Sequence, residues 1–305
     1  MICAHVRYKF WGASLAITIL AGFCATRAVP QQLPKSHPSP SPRQIILAPV
    51  MVAGAQATLA VLDAQGRLLP NIVVELSGGL KVTTDATGRA LFQAPDEPGM
   101  LLAKTAGHEI TASANVVASA DPGPHAASGA GLGEVKIISY PRAVAIHDRF
   151  TLEGTGFRGL ADTNHVYLNG DPCLVVASSP NSLVVFPGPP FRVGAVNLHV
   201  TVAGVDAGQF PISAVLLEIT GPAESPDAGS VGKLILRARG TTDPLSIEVR
   251  NGSPGIILLT KGNVQRVKTS GGDHNIATVE VKFITAGDYT VSVRLVSAFS
   301  TAKTD

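Results

Sequence analysis

Phe150-Thr151-Leu152-Glu153-Gly154-Thr155-Gly156-Phe157, followed by Val166-Tyr167-Leu168, the pair Asn169-Gly170 and then Leu174-Val175-Val176, is the stretch that decides the fold. Phe150 and Leu152 alternate with Thr151 and Glu153, the period-2 pattern of a half-buried strand. Asn-Gly between two apolar runs is a strong short-range hairpin signal, because both positions accept the positive φ of a type I′ turn. Gly154 and Gly156 supply permissive backbone at a bent strand-to-loop corner, and Phe157 is placed to fold back onto the core. The same residues, through Gly159, also spell G-x-G-x-x-G. In a dinucleotide-binding fold that motif opens a helix whose N-terminus holds the pyrophosphate. Here Asp162-Thr163-Asn164-His165 and another strand follow instead, so the glycines read as a corner.

Working outward, Val135-Lys136-Ile137-Ile138 leads into Tyr140-Pro141 on one side, and Pro187 lies in a later turn on the other. With Gly154, Gly156, Phe157 and the Asn169-Gly170 turn, residues 134–214 resemble an IPT/TIG domain. The resemblance implies an immunoglobulin-like β-sandwich used for binding or spacing at a cell surface.

Residues 44–118 show the same short-strand rhythm. Thr58–Leu62 reads as a buried strand, Asp63-Ala64-Gln65-Gly66 as a turn, and Ile72, Val74 and Leu76 as one face of a second strand. Thr84–Arg89 is another turn, before Ala90-Leu91-Phe92. The phrases VLDAQGRLLPNIVVELSGG and TTDATGRALF resemble bacterial Ig-like domains of the Big-1 type and carboxypeptidase regulatory-like domains. That resemblance implies a second, non-catalytic extracellular sandwich. Residues 215–300 repeat the logic: Leu234, Leu236 and Ala238 alternate with Arg237 and Arg239, Ile247 and Val249 with Glu248 and Arg250, and Val279, Val281 and Phe283 with Glu280 and Lys282. Gly287-Asp288 introduces Tyr289–Leu295. A third Ig- or fibronectin-like sandwich is expected. The fold class is therefore all-β, with tandem immunoglobulin-like sandwiches at 44–118, 134–214 and 215–300, and a short tail at 301–305.

What precedes and joins these blocks has a different character. In residues 1–28, Arg7 and Lys9 give a basic start, an uncharged stretch runs from Phe10 to Thr26, and small residues end at Ala28, the pattern of a secretory signal peptide. Its apolar centre, Leu15–Phe23, is short for a membrane span, which needs about 20 residues. Phe23 before Cys24 breaks the resemblance to a bacterial lipobox. Residues 29–43, VPQQLPKSHPSPSPR, form a Pro-rich tether with an extended polyproline tendency. Residues 119–133, SADPGPHAASGAGLG, read as a flexible linker. The expected location is secreted, periplasmic or cell-surface.

Composition narrows the function classes. The chain has 305 residues, 31 Gly and 22 Pro, and is only 15% charged, which suits many short strands joined by tight turns. Its formal net charge is +2, and Arg7, Lys9 and Arg27 all lie in the leader, leaving the remainder close to neutral. That argues against nucleic acid as a partner. Without the leader Cys173 stands alone, so no internal disulfide can form, and it reads as a small buried hydrophobe.

No catalytic, cofactor or metal site emerges. His37, His108, His125, His147, His165, His199 and His274 make no close ligand pair, and there is no G-x-S-x-G elbow. Asp63 and Asp85, each three residues before a glycine, fit turn chemistry. The one tryptophan, Trp11, is in the leader; Tyr140, Tyr167 and Tyr289 and the loop residue Phe191 offer few platforms for sugars. The expectation is a non-enzymatic interaction or spacer protein of the envelope or exterior, with a protein or glycan partner and no cofactor. The alternative is a glycan-binding accessory of a polysaccharide-processing system.

Overall fold

Alternating apolar residues become strands because only an extended chain sends successive side chains to opposite faces. The computed structural model describes residues 2–6, 44–106, 110–119, 134–188, 192–222, 227–259, 262–285, 287–296 and 298–301. The rest of the leader, the tether, nearly all of the 119–133 linker, Phe191, His37, His108 and His125 lie outside the described residues.

Strand β1 (Ile2–Val6) belongs to the segment read as a leader. The first sandwich holds β2 (Gln44–Ile46), β3 (Val50–Val52), β4 (Gln56–Leu62), β5 (Val73–Leu76), β6 (Lys81–Thr83), β7 (Arg89–Gln93), β8 (Gly99–Thr105) and β9 (Thr111–Val117). One sheet runs β3-β9-β8-β5-β6, and β2-β4-β7 faces it. Between them lies a core that includes Met51, Leu59, Val74 and Leu101, each essentially inaccessible to solvent. The two turns read from the sequence are built by their aspartates. Asp63 Oδ1 accepts from the backbone N–H of Gln65 at 2.8 Å and of Arg67 at 2.9 Å. Asp85 Oδ1 accepts from Thr87 N at 2.7 Å.

The second sandwich holds β10 (Lys136–Pro141), β11 (Ala143–Ala145), β12 (Phe150–Thr155), β13 (Asn164–Leu168), β14 (Asp171–Ser178), β15 (Ser182–Phe186), β16 (Gly194–Val202) and β17 (Val205–Thr220). β13 and β14 form the hairpin that the sequence announces: Leu168 pairs with Asp171 across Asn169 (φ 52°) and Gly170 (φ 89°), both left-handed as a type I′ turn demands. At the bent corner Phe157 is buried, and its ring covers Gly154. A Cβ on Gly154 would lie 2.3 Å from the Lys136 carbonyl and 2.7 Å from that ring, so nothing larger than hydrogen fits.

The third sandwich adds β18 (Val231–Arg239), β19 (Ser246–Asn251), β20 (Ile257–Leu259), β21 (Val264–Lys268), β22 (Ile276–Phe283), β23 (Tyr289–Leu295) and β24 (Phe299–Thr301). One sheet orders β17-β18-β22-β20 and the other β1-β23-β19-β21. Leu234, Leu236, Ile247, Val279 and Phe283 form its core. β1 runs antiparallel along the outer edge of β23, with Ile2 opposite Val293.

The sandwiches are joined by structure. β17 serves two of them: Ala214 pairs with Gly194 of β16, and Leu216 pairs with Arg239 of β18, so the 214/215 boundary falls inside a single strand. β24 turns back and pairs with β10, and Arg142 Nε donates to Ser300 Oγ at 2.9 Å. The first and second sandwiches meet through a small apolar cluster of their own, Ile46, Ala60 and Leu62 against Val176, Ala177 and Val184. Polar contacts frame it. Thr58 Oγ1 and Ser178 Oγ both donate to the Gly159 carbonyl at 2.6 Å, and Ser182 Oγ donates to the Val50 carbonyl at 2.9 Å. Buried Arg89 bonds the Val175 carbonyl at 3.2 Å and pairs with Asp162 at 2.7 Å. Gly159, the last glycine of the G-x-G-x-x-G string, belongs to this joint: a Cβ there would fall 2.2 Å from the Gln56 carbonyl. The chain after it makes a three-residue 3-10 turn, Ala161–Thr163.

Candidate interdomain cleft

β19 lies in the middle of its sheet, between β21 and β23. Its register places Glu248 directly opposite Arg266 on one neighbour and Arg294 on the other. Arg250, two residues along the same strand, projects from the same face. The four side chains therefore meet on the sheet surface turned away from the core. Arg294 Nε lies 2.9 Å from Glu248 Oε1, Arg250 Nη2 3.4 Å from the same oxygen, and Arg266 Nε 3.6 Å from Oε2. The arginines stay at least half exposed, while the Glu248 side chain is only 5% exposed. Alternation alone places Glu248 on a solvated face; the guanidinium stems cover it instead. The hydrogen bond from Arg294 holds the Glu248 carboxyl below its ordinary value, against the opposing effect of burial, with the Arg294 and Arg250 charges adding to the lowering.

The sign of the resulting pH dependence follows. A carboxyl whose folded pKa is depressed stabilises the fold at pH above its ordinary value of 4.5 and loses that contribution as pH falls through the folded pKa. Glu248→Gln is therefore expected to flatten this part of the acid branch of the stability curve. Urea unfolding of both proteins between neutral pH and pH about 3 measures it.

This arginine-rich face forms one wall of a cleft of about 450 Å³ in which all three sandwiches take part. β2 and part of β9 contribute from the first sandwich, the turn at Asp148 and Arg149 from the second, and β19 and β23 from the third. Arg149, Arg250 and Arg294 thus face two carboxylates, Asp148 and Glu248. Arg149 is half-buried and makes no ion pair among the described residues. Burial lowers its pKa, the Asp148 charge works to raise it, and the neighbouring Arg294 charge lowers it further.

Other residues singled out from the sequence lie elsewhere. His199, on β16, stacks on Tyr167 with ring centres 5.8 Å apart and lies 3.1 Å from Asp206 Oδ1, on the second sandwich away from the cleft. Tyr140 packs on Phe210 and Tyr289 on Phe283. Cys173 is a free thiol packed against the second core, and burial, aided by the Asp171 charge, pushes its pKa up to about 12. At that value the nucleophilic thiolate is scarce at neutral pH. Among the described residues, no three His, Cys, Asp or Glu side chains come together in a way that could hold a metal ion. No described helix is long and apolar enough to cross a membrane. The cleft residues escaped the sequence reading because Glu248 and Arg294 become neighbours only through register.

Comparison with known proteins bears on the middle of the chain. Residues 139–214 match the IPT/TIG domain. This TIG unit carries the Gly154–Phe157 corner, the Asn169-Gly170 hairpin, and Arg149 of the cleft. No protein with a curated description matches the chain. Among solved structures, the Escherichia coli adhesin FdeC matches at 12% identity with a TM-score of 0.23, covering 84% of this chain and 92% of that one. The Bacteroides ovatus protein SGBP-B, solved with a mixed-linkage heptasaccharide, matches at 11% identity and a TM-score of 0.26, over 83% and 74%. The extracellular region of plexin A4 matches at 14% and 0.34, over 87% of this chain and 33% of that one.

Proposed function

We propose that the chain is a non-catalytic interaction or spacer protein of the cell envelope or exterior, built to hold a binding surface in a fixed shape. The observation that carries this reading is the continuity of the fold: a TIG unit is locked to one neighbour by the shared strand β17 and to the other by an apolar joint. Residues 44–118 enter the proposal as a Big-1-like or carboxypeptidase regulatory-like sandwich. The basic, then apolar, then small-residue pattern of residues 1–28 supports export with cleavage near Ala28. Cleavage there removes β1 and opens the outer edge of β23. The Pro-rich segment 29–43 then acts as the tether between the folded part and whatever lies at its N-terminus.

Fractionation of a C-terminally tagged full chain in its native host, with N-terminal sequencing of the product, tests the proposal. The expected product begins near Val29 and appears in the secreted, periplasmic or surface fraction. A full-length product in the cytoplasm would overturn it.

A further inference from the structure

We propose that the cleft between the three sandwiches is a binding site for an acidic, extended peptide segment, with Arg149 and Arg294 receiving a carboxylate of the ligand. The inference rests on the interaction role above and names the class of partner.

Four observations point to this chemistry. First, among the described residues three guanidinium groups line the cleft against two carboxylates, an excess of one positive charge. Second, the excess is localised. Arg294 already bonds Glu248, whereas Arg149 faces the cleft beside it with no ion pair among the described residues. Two neighbouring guanidinium groups, one half-buried, form an arrangement that a bound anion relieves; their planar forks match a carboxylate in two parallel hydrogen bonds. Burial is the main cause that lowers the pKa of Arg149, the Asp148 charge opposes it, and the Arg294 charge beside it adds to the lowering.

Third, the walls favour a peptide over a sugar. Among the described residues the lining contains no Trp or Tyr; Phe150 is buried in the second core, and Phe299 is the one exposed aromatic among them. Sugar rings commonly stack on flat aromatic faces, and this cleft supplies little for them. Fourth, β2 borders the cleft and, among the described residues, has a ladder partner, β4, on one side only. An extended segment can place its backbone along such an edge while a side-chain carboxylate reaches the arginines. A volume of about 450 Å³ accommodates a few residues, within the usual range of ligand pockets.

Arg149 is half-buried, makes no ion pair among the described residues, and has only part of its desolvation offset by the Asp148 charge. The proposal therefore makes an unusual pair of demands on one residue: Arg149→Gln weakens binding while leaving thermal stability unchanged or raised. A merely structural arginine would lose stability instead.

The test uses the full chain and a fluorescein-labelled hexa-aspartate peptide, read by anisotropy, with hexa-asparagine and hexa-galacturonate as competitors. Hexa-aspartate is expected to bind and to be displaced by unlabelled hexa-aspartate, and not by hexa-asparagine. Arg149→Gln should weaken it at least tenfold, and Arg149→Lys, which keeps the charge and loses the fork, by less. Arg237→Gln, on the exposed face of β18 far from the cleft, should leave it unchanged. Absence of hexa-aspartate binding, or equal weakening by Arg149→Gln and Arg237→Gln, would overturn the site. Displacement by hexa-galacturonate together with failure of unlabelled hexa-aspartate to compete would overturn the peptide assignment in favour of an acidic glycan. The outcome is independent of fractionation, since binding is measured on purified protein whatever compartment it comes from.

Discussion

Leu198→Ala is expected to lower the stability of the TIG unit by about 3–4 kcal/mol, near the middle of the range for a leucine removed from a tight core. Leu198 sits at the centre of β16, is fully buried, and pairs with Leu168 on one side and Phe210 on the other. Both neighbours are fixed in central strands and cannot close over the vacated space. The loss should therefore include a cavity contribution besides the transfer of the missing carbons. Trp11 is the only tryptophan and lies in the leader, so unfolding is best followed by far-ultraviolet circular dichroism in urea. Hydrogen exchange should place the weakened amides first in β13 and β16. A loss under about 1 kcal/mol would show that the second core is loosely packed.

The second large effect concerns the joint between the first two sandwiches. Ala177→Asp puts a carboxylate into the cluster of Ile46, Ala60, Leu62, Val176 and Val184, at a position with no solvent exposure. An uncompensated buried charge costs about 3–5 kcal/mol, so the cheaper response is for the joint to open and hydrate the group. The expected result is a larger radius of gyration in solution scattering and the loss of protection at Thr58 and Gly159. The cores of both sandwiches should survive, because neither Leu59 nor Leu183 belongs to the cluster. An unchanged radius with full protection would mean that the joint is not what holds the two sandwiches together.

The sequence made the strands readable wherever the cause was local. Period-2 alternation gave β18, β22 and β23, Asn169-Gly170 gave the hairpin, and Gly154 with Phe157 gave the corner. What escaped was set by residues far apart in the chain. Gly159 looked like the end of a corner motif, and its real constraint is the Gln56 carbonyl of another sandwich. Glu248 looked solvated, because alternation says which face a side chain takes and not what lies across from it. Arg266 and Arg294 stand opposite it only once three strands have found their register. The cleft follows the same rule, since its walls come from strands separated by about two hundred residues of chain.

The shared strand β17 has a mechanical consequence. It runs for 16 residues, a length of about 50 Å, and no turn interrupts it between the second and third sandwiches. A pull along it loads the ladders of both sandwiches in shear at the same moment, rather than stretching a loop first. The angle between the two bodies is then fixed by the natural twist of a strand and not by a hinge. Under tension such a pair should yield in one step, as a single mechanical element spanning two domains.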